Sequence, residues 1–578
     1  MYAEVVVLTY QSPDIPFFTY KIPQDLENQI KVGQLVEVPF GSRNPCGLVI
    51  AIRHSPLAIS EKARIKEISN TLMSQPILLP YQVELLKWMS KYYIAPMVNC
   101  LEAMLPELPR KLLMENSKWK ESIHHSPFTI YQTLILVPSI NRIPETLAKF
   151  PKAKNYVIYH NELRPAEKFA TFLKILEGNI DHIFGSRSAI FAPCPNLSEI
   201  IIFDEHEKAY KDERSPYYDT LTVAEKIAQL THAKITIEDI APKITTYFNL
   251  QKHVKIKSQK TKFKIVSLET ERLGGNYSPV TQESEEFLKR IVKSKKNALL
   301  FLNKKQESGH IFCKNCKNKE FLENQPETCP NCNSPDFFFN VLNIFSLKEK
   351  IQKLIPSAKI NLIYQHTHHS LVLSEVEGSL ITHHSIDIAT SYIFYAPIIK
   401  KYELVIFTLA DSITQIADFS SEEILYRTIA KLKSLLVANG LLLIQTYSPQ
   451  NQTINYAAAS DYKSFYNFVL AQRKLLSYPP YSLLIKLTLK GPIKETVEKN
   501  AKQLAESLNP LTINHSPFTV LGPFKPIYFA KHPAYSIIIK YKLVSYSLAH
   551  REKAIENLRP VLKNLKNVQI TVEPESIN

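Results

Sequence analysis

The chain has 578 residues and a mass of 66.3 kDa, more than one hydrophobic core supports, so we expect several domains. Hydrophobic residues make up 45% and charged residues 21%, a soluble globular composition, and no apolar run approaches the roughly 18 residues that span a bilayer. The net charge of +16 favours polyanions such as nucleic acid, but a lysine-rich codon usage gives the same excess, so charge alone decides little. The first residues lack a basic leader before a long apolar stretch, so we expect no secretory signal, no membrane partner and a cytoplasmic location.

Several groups of elements are predicted along the chain. Residues 1–53 carry short apolar stretches separated by Pro, Gly and Asn turns, which predicts a small β domain. Residues 78–107 repeat apolar side chains at helical spacing and predict a compact helical module. From about 130 to 250, and again from about 296 to 450, apolar strands alternate with helical segments, which predicts two α/β regions. The residues from about 456 onward predict a small α+β domain.

The seven cysteines include one tight cluster, in which Cys313-x2-Cys316 is followed after twelve residues by Cys329-x2-Cys332. An odd count with one such cluster favours a metal site in a reducing compartment over a disulfide framework. Each knuckle turns two thiolates toward one point, and two knuckles complete a tetrahedron around zinc. The pattern therefore predicts one structural zinc ion, with no open coordination position for catalysis.

Short segments spread over most of the chain resemble, in order, the PriA-type replication restart helicases. The family's domain that captures a DNA 3′ end is similar to FTYKIP (18–23) and VGQLVEVPFGSR (32–43), and its winged-helix module is similar to LLKWMSKYYIAP. Its first helicase lobe is similar to YHNELRPAEKF, FGSRSAIFAPCPNL and HEKAYKDERSPYY. Its later segments are similar to ALLFLNKK before the cysteines and to LLIQTYSP, YPPY and VLGPFKP after them. No single segment is very specific, but their order is.

The resemblance implies a multidomain α/β architecture. Its parts are a small N-terminal β domain, a winged-helix-like module, two degenerate helicase lobes of the RecA-like type, a zinc-binding insertion and a C-terminal α+β domain. The family normally carries eight cysteines and two zinc ions, with the first and last knuckles sharing one ion, so this chain is expected to keep that site and lack the other. The implied boundaries are 1–70 for the 3′-end-binding β domain, 71–115 for the winged-helix-like module, 116–255 for the first lobe, 256–455 for the second lobe with the insertion at 311–336, and 456–578 for the C-terminal domain.

The resemblance also implies which residues line the pocket for a DNA 3′ end: Phe18, Thr19, Gly41 and Lys66. An aromatic ring packs on the terminal base or sugar, a glycine lets the backbone approach closely, and a lysine meets phosphate. Several relatives hold Asp where this chain has Thr19, which weakens the case for a hydrogen bond to the 3′ hydroxyl. Phe18 as a core aromatic on a strand is an equally weighted alternative.

The motor of this family needs a Walker A loop, GxxxxGK[ST], whose backbone amides and lysine hold the phosphates. None of the 12 glycines in the chain is followed by lysine. The stretch where the loop is expected reads MENSKWKESIHHSPFTIYQ and contains no glycine. The loop is therefore absent from the sequence.

The acidic box is altered as well. Relatives read Asp-Glu-Glu-His where this chain has Phe203, Asp204, Glu205 and His206. A phenylalanine cannot hold a hydrated magnesium ion. We therefore interpret Asp204 and Glu205 as strand-end or capping residues and assign no catalytic residue.

Two further parts of the motor are missing. The family's Ser-Ala-Thr segment falls on Asp239, Ile240 and Ala241. Relatives place paired arginines in the second lobe, where they stabilise the transferring phosphoryl group. This chain has one arginine between residues 386 and 450, Arg427, in a segment that predicts a plain amphipathic helix.

Three functions stay open on the sequence. The preferred hypothesis is a replication restart protein that binds forked or single-stranded DNA and helps reload the replicative helicase through primosome proteins and the helicase loader, without helicase activity of its own. The second is an ATP-dependent 3′-to-5′ DNA helicase with a nonstandard nucleotide site. The third is a decaying, non-functional product, which the missing motifs and the inserted HHS segments also permit.

Overall fold

The computed structural model describes residues 1–9, 15–54, 65–108, 130–257, 259–303, 309–322, 326–364, 384–395, 400–414, 418–508, 517–525 and 532–577. The chain forms two compact units, one of Met1–Ile256 together with Gln472–Asn578 and one of Lys257–Ala471. Across the described ranges, no helix combines the length and the apolar character needed to cross a membrane.

The first unit begins with a small antiparallel sheet in the order β2-β1-β4-β3-β5. Residues 66–71 close this sheet on itself, because the backbone N–H of Lys21 in β2 donates to the carbonyl of Lys66 (2.9 Å) while β5 pairs with β3. The small N-terminal β domain predicted from the sequence is confirmed. Its strands are β1 (Tyr2–Val7), β2 (Phe18–Lys21), β3 (Leu35–Glu37), β4 (Cys46–Arg53) and β5 (Asn70–Thr71).

Two helices follow, α1 (Pro80–Tyr92) and α2 (Met97–Met104). Proline opens α1, where its missing N–H removes no helical hydrogen bond and its fixed φ suits the first turn. The face of α1 that carries Leu85, Leu86 and Met89 is fully buried, as the helical spacing predicted.

A six-stranded sheet in the order β11-β10-β9-β6-β8-β7 forms the middle of the first unit, and every neighbouring pair is parallel. A parallel sheet is typically covered on both faces, which explains the continuous apolar run at the end of β9. The carboxyl ends of parallel strands meet at one edge, where open α/β sheets bind their ligands. Its elements are β6 (Gln132–Leu136), α3 (Ile143–Leu147), β7 (Tyr156–Tyr159), α4 (Pro165–Leu176), β8 (His182–Gly185), β9 (Leu197–Phe203), α5 (Thr220–Thr231), β10 (Lys234–Asp239), α6 (Ile244–Leu250) and β11 (Val254–Ile256).

The second unit holds another parallel six-stranded sheet, in the order β12-β20-β19-β13-β18-β17. A three-stranded antiparallel sheet, β15-β14-β16, is inserted after β13 and carries the cysteine cluster. The second predicted α/β region is confirmed. Its elements are β12 (Lys262–Ser267), α7 (Leu268–Leu273), α8 (Gln282–Lys293), β13 (Ala298–Phe301), β14 (Gly309–Cys313), β15 (Lys319–Leu322), β16 (Phe337–Val341), α9 (Ile344–Leu354), β17 (Ile360–Ile363), β18 (Ile386–Ala389), β19 (Tyr402–Phe407), α10 (Ser421–Ser434), β20 (Leu436–Thr446) and α11 (Gln452–Ala459).

The chain passes from the second unit back to the first within α12 (Tyr462–Leu476). The C-terminal part of the first unit is an antiparallel sheet in the order β22-β23-β21-β24 with two helices, as the predicted α+β domain requires. Its elements are β21 (Ser482–Lys490), α13 (Lys494–Leu508), β22 (Phe518–Phe524), β23 (Ala534–Lys542), α14 (Leu548–Leu562) and β24 (Val568–Val572).

A buried ionic cluster joins this C-terminal domain to the parallel sheet of the same unit. The guanidinium of Arg551 in α14 pairs with Glu225 of α5 and, at 2.7 Å, with Glu573 just after β24. It also donates a hydrogen bond of 3.1 Å to the hydroxyl of Thr222. All of these side chains are nearly or fully buried, so each charge depends on the others for its solvation.

Candidate functional sites

The altered acidic box lies at the carboxyl edge of the first parallel sheet, where β9 ends at Phe203. Asp204 follows in a left-handed conformation with φ of 49°. Its carboxylate lies 3.4 Å from the guanidinium of Arg142, and the ammonium of Lys149 lies 4.7 Å from the centre of the Phe203 ring. Burial raises the pKa of the Asp204 carboxyl, and the neighbouring Asp239 raises it further. Two cations of the chain, Arg142 and Lys149, therefore lie beside the first two residues of the altered box.

The other acidic residues of this edge are held by internal hydrogen bonds. The Glu205 carboxylate accepts from the backbone N–H of Lys243 at 2.6 Å, just ahead of α6. The His206 imidazole Nδ1 lies 2.7 Å from the Asp239 carboxylate, and that carboxylate also accepts from the backbone N–H of Ala241 at 2.8 Å. These contacts support the interpretation of Glu205 as a capping residue.

Among the described strand-to-helix turns of this sheet, none combines a glycine with a lysine. Gly185 at the end of β8 is packed against the backbone, since an added Cβ would lie 2.1 Å from the carbonyl oxygen of Tyr159. Lys243 is held by carboxylates, at 3.5 Å from Asp219 and 3.3 Å from Glu575. The stretch where the Walker A loop is expected lies outside the described residues, apart from its last positions.

The one arginine between residues 386 and 450 is also engaged. Arg427 lies in α10, and its guanidinium pairs with Glu423 one turn earlier in the same helix. Both side chains are largely buried. The contact is an intrahelical i,i+4 pair, the type that stabilises a helix.

Two of the predicted 3′-end residues begin strand β2, and neighbouring strand residues point to opposite faces. Phe18 pairs with Val5 and packs on the core of the β domain, and its ring centre lies 5.1 Å from that of Phe40. Thr19 pairs with Glu4 and points to the other face. The side chains of Thr19 and Phe18 therefore lie on opposite faces of the sheet.

The other two predicted 3′-end residues are Gly41 and Lys66. Gly41 is in a tight hairpin closed by reciprocal backbone hydrogen bonds of Phe40 and Arg43 (2.8 and 3.1 Å), and its φ is 61°. An added Cβ there would meet nothing within 4 Å, so the backbone of Gly41 is open to an incoming group. Lys66 is exposed beside β2, to which its carbonyl is hydrogen-bonded. The ring contact between Phe18 and Phe40 links Phe18 to the Gly41 hairpin.

The four clustered cysteines converge. The Sγ atoms of Cys313, Cys316, Cys329 and Cys332 all lie within 4.8 Å of one another, with 3.6 Å between Cys313 and Cys332 and 3.7 Å between Cys316 and Cys329. Four sulfurs at about 2.3 Å from a tetrahedral zinc ion lie about 3.8 Å apart. The cluster therefore fits a metal ion of this kind.

The two knuckles repeat one backbone pattern. Lys317 and Asn333, each four residues after a knuckle's first cysteine, have left-handed conformations with φ of 61° and 54°. Each donates its N–H to the carbonyl of that cysteine, Cys313 (3.0 Å) or Cys329 (2.8 Å). The shared C-x2-C spacing thus produces two matching turns that aim four sulfurs at one point.

Two asparagines next to the ligands were missed by sequence reasoning. The side-chain amide of Asn331 donates to the sulfur of Cys316 (3.5 Å), and that of Asn315 donates to the sulfur of Cys332 (3.8 Å). The Asn331 amide lowers the pKa of the Cys316 thiol to about 6, with help from backbone hydrogen bonding. The sequence carried a signal for this pair, because each knuckle has asparagine just before its second cysteine.

Comparisons with known proteins agree with the resemblance seen in the sequence. Residues 6–106 match the family described as 3'DNA-binding domain (3'BD). The chain is 28% identical over 489 residues to the replication restart protein PriA of Bacillus subtilis, covering 76% of this chain and 60% of the relative. It is 24% identical over 505 residues to that of Synechocystis, covering 77% and 59%. It is 23% identical over 578 residues to that of Rickettsia conorii, covering 84% and 87%.

The chain spans about 60% of the length of the first two of these relatives. Solved structures give remote likenesses. RecG bound to a three-way DNA junction matches with 12% identity and a TM-score of 0.33, covering 59% of this chain and 40% of that one. The helicase MrfA bound to DNA matches with 9% identity and a TM-score of 0.31, covering 68% and 51%.

Proposed function

We propose that this chain, which is similar to the PriA replication restart proteins, binds forked or single-stranded DNA at stalled or abandoned replication forks and helps reload the replicative helicase without being a helicase itself. The observation that carries the DNA-binding part is the match of residues 6–106 to a 3'DNA-binding domain. Primosome proteins and the helicase loader are the partners, reached through protein contacts.

The absence of motor activity is argued from the carboxyl edge of the first sheet. The sequence has no glycine followed by lysine, so no backbone cradle of the Walker A type forms around phosphates. The carboxylates near a would-be metal position already have partners, Arg142 for Asp204 and the Lys243 amide for Glu205. Phosphate positioning must precede every other catalytic effect, so these losses remove the reaction.

Zinc is the metal we propose for the four cysteines. Cys313, Cys316, Cys329 and Cys332 supply four thiolates, the donor set that structural zinc sites use. A filled tetrahedral shell leaves no position for a reacting water. The ion would fix the two knuckles of the inserted sheet, where the described side chains that pack with the cysteines are Ile311 and Phe337.

The 3′-end pocket is proposed to use Phe18, Gly41 and Lys66, with Thr19 on the adjoining face. The open backbone at Gly41 and the exposed ammonium of Lys66 suit contact with a terminal nucleotide and its phosphate. Phe18 is partly buried against Phe40, so it contributes an edge to the pocket while it packs on the core.

The test is the affinity of the full chain for a forked DNA with a free or a blocked 3′ end. Blocking the end should weaken binding, Lys66→Ala should remove that difference, and Lys31→Ala, an exposed lysine of the same domain, should keep it. Equal affinity for both forks in the wild-type chain contradicts the proposed end recognition.

The motor is tested separately by calorimetry with ATP and by ATP hydrolysis in the presence of the fork. We expect neither binding nor turnover. Hydrolysis above background that disappears in Asp204→Ala would overturn the proposed absence of motor activity and favour the helicase alternative. A chain without a cooperative thermal transition and without stoichiometric zinc would instead support a decaying product.

A further inference from the structure

A second feature of the molecule fits nucleic acid and lies in the second unit, in the loop between α7 and α8. This loop, residues 274–281, contains Gly274 and Gly275, and two large apolar side chains are exposed here: Leu273 at the end of α7 and Tyr277 in the loop. Leu273 is 84% exposed and Tyr277 is 73% exposed. Such side chains on a soluble surface suit contact with a binding partner when they are presented together.

The loop is rigidly braced. The guanidinium of Arg272 donates to the backbone carbonyls of Asn276 (2.6 Å) and Ser278 (2.8 Å). The Asn276 amide donates to the Glu271 carboxylate at 2.6 Å, and that carboxylate also accepts from the backbone N–H of Gln282 at 3.0 Å. The exposure of Tyr277 is therefore fixed by hydrogen bonds on both sides of it in the chain.

The positively charged Arg272 lies beside the exposed Tyr277 ring, and Lys350 is influenced by the Arg272 charge. The Arg272 guanidinium carbon lies 5.8 Å from the centre of the Tyr277 ring, and the high exposure of that ring leaves much of it open to a ligand. Lys350 of α9 is close enough to Arg272 to feel its charge: burial lowers the pKa of the Lys350 ammonium, and Arg272 lowers it further. No carboxylate among the described residues lies within ion-pairing distance of Arg272 or Lys350.

Two like charges held together cost free energy unless an anion neutralises them. Here Arg272 lies beside an aromatic ring that can stack on a base, and an aromatic ring combined with positive charge is what binds single strands without sequence preference. Gly275, with φ of 83° and open space where a Cβ would be, adds a bare backbone to the same surface.

We infer that Tyr277, Arg272 and Lys350 form a second contact for single-stranded DNA, in which a base stacks on Tyr277 and a backbone phosphate lies between the two cations. This inference rests on the proposed DNA-binding function and is independent of the 3′-end pocket. Because stacking and phosphate contact require no free end, this surface binds an internal stretch of a strand.

The experiment measures binding of the full chain to a fluorescein-labelled oligothymidine with a blocked 3′ end, by anisotropy over a range of salt concentrations. Stacking is worth about 1–3 kcal/mol per base, so Tyr277→Ala should weaken binding about 5- to 150-fold with an unchanged salt slope. Tyr277→Phe should retain affinity. Lys350→Gln should reduce the slope of log affinity against log salt by about 0.7, the value for one phosphate contact on a single strand.

The matched control is Tyr447→Ala, which removes another exposed tyrosine of the same unit and should leave binding unchanged. Wild-type affinity and slope in both Tyr277→Ala and Lys350→Gln overturn the inference. So does binding of polyglutamate that is lost in Lys350→Gln while DNA binding is kept, because the surface then serves an acidic protein. If the wild-type chain shows no preference for a free 3′ end while Tyr277→Ala and Lys350→Gln change binding as expected, the end pocket is refuted and this second contact is supported.

Discussion

Replacing Arg551 by methionine tests how the C-terminal domain is attached to the first parallel sheet. Methionine keeps most of the apolar stem and removes the guanidinium. The change leaves the buried carboxylates of Glu225 and Glu573 facing each other without their cation. Lys211 stays near, but its ammonium donates to the backbone carbonyls of Val572 at the end of β24 (2.7 Å) and of Glu573 (3.2 Å).

The magnitude follows from burial. Arg551 is 3% exposed, and Glu225 and Glu573 are 9% and 11% exposed, so water cannot replace the lost charge. Removing one partner of a buried ionic cluster costs about 3–5 kcal/mol of unfolding free energy. The matched control is Lys502→Gln in α13, whose pair with Glu498 is exposed at 60% and 34% and is expected to contribute about 0–1 kcal/mol.

Urea unfolding followed by tryptophan fluorescence measures both variants. Trp88 of α1 reports on this contact because its indole N–H donates to Glu552, the neighbour of Arg551, at 2.6 Å. A Trp119→Phe background leaves Trp88 as the single tryptophan of the chain.

A loss within 1 kcal/mol of the control would show that water reaches the cluster and that the charges act as a surface pair. Adding Glu225→Gln to Arg551→Met should recover part of the loss, since one uncompensated charge is then gone. A double variant as unstable as the sum of the two single changes contradicts the charge-pairing explanation.

Further predictions concern acid, metal and the core aromatic of the β domain. Burial raises the pKa of the Glu573 carboxyl, but the charges of Arg551 and Lys211 and the hydrogen bond from Arg551 together outweigh it. At Asp219 the charges of Lys243 and Lys211, with the hydrogen bond from the Thr222 N–H, likewise outweigh burial, so both carboxyls have lowered pKa values in the folded state. The two carboxylates stabilise the fold fully above their unfolded pKa values of about 4, and this stabilisation is lost as the pH falls through their lower folded pKa values. The urea midpoint should therefore decrease below about pH 4, and Glu573→Gln should make this pH dependence shallower. Removing zinc with a chelator, or changing Cys329→Ser, should raise hydrogen exchange across 309–341 and leave the parallel sheets protected; uniform exchange throughout would argue against a local role. Phe18→Leu should cost less than about 1.5 kcal/mol of stability yet abolish the preference for a free 3′ end, and a large stability loss with the preference intact would make Phe18 a core residue only.

Much of the architecture was readable from local pattern. Apolar strands alternating with helical segments predicted both parallel sheets, because a strand buried on two faces must be apolar along its length. The spacing of Cys313, Cys316, Cys329 and Cys332 predicted their convergence, since a C-x2-C turn has a fixed shape. The loss of the Walker A loop was equally readable, because that loop depends on glycines in sequence.

Other features depend on contacts between residues far apart in the chain. That Phe18 and not Thr19 faces the core of the β domain depends on how β2 pairs with β1, which no local pattern fixes. The pairing of Arg551 with Glu225, 326 residues away, arises when a C-terminal helix packs on α5. The effect of the Arg272 charge on the pKa of Lys350, which lies in a different helix, likewise depends on the tertiary structure.

The sequence by itself determined the element types, the metal-ligand set and the missing nucleotide loop, because each is encoded within a few neighbouring residues. Only the tertiary structure decided which charges neutralise one another and which stay uncompensated. Those electrostatic outcomes depend on distance and burial in three dimensions, and neither quantity is written in the order of the residues.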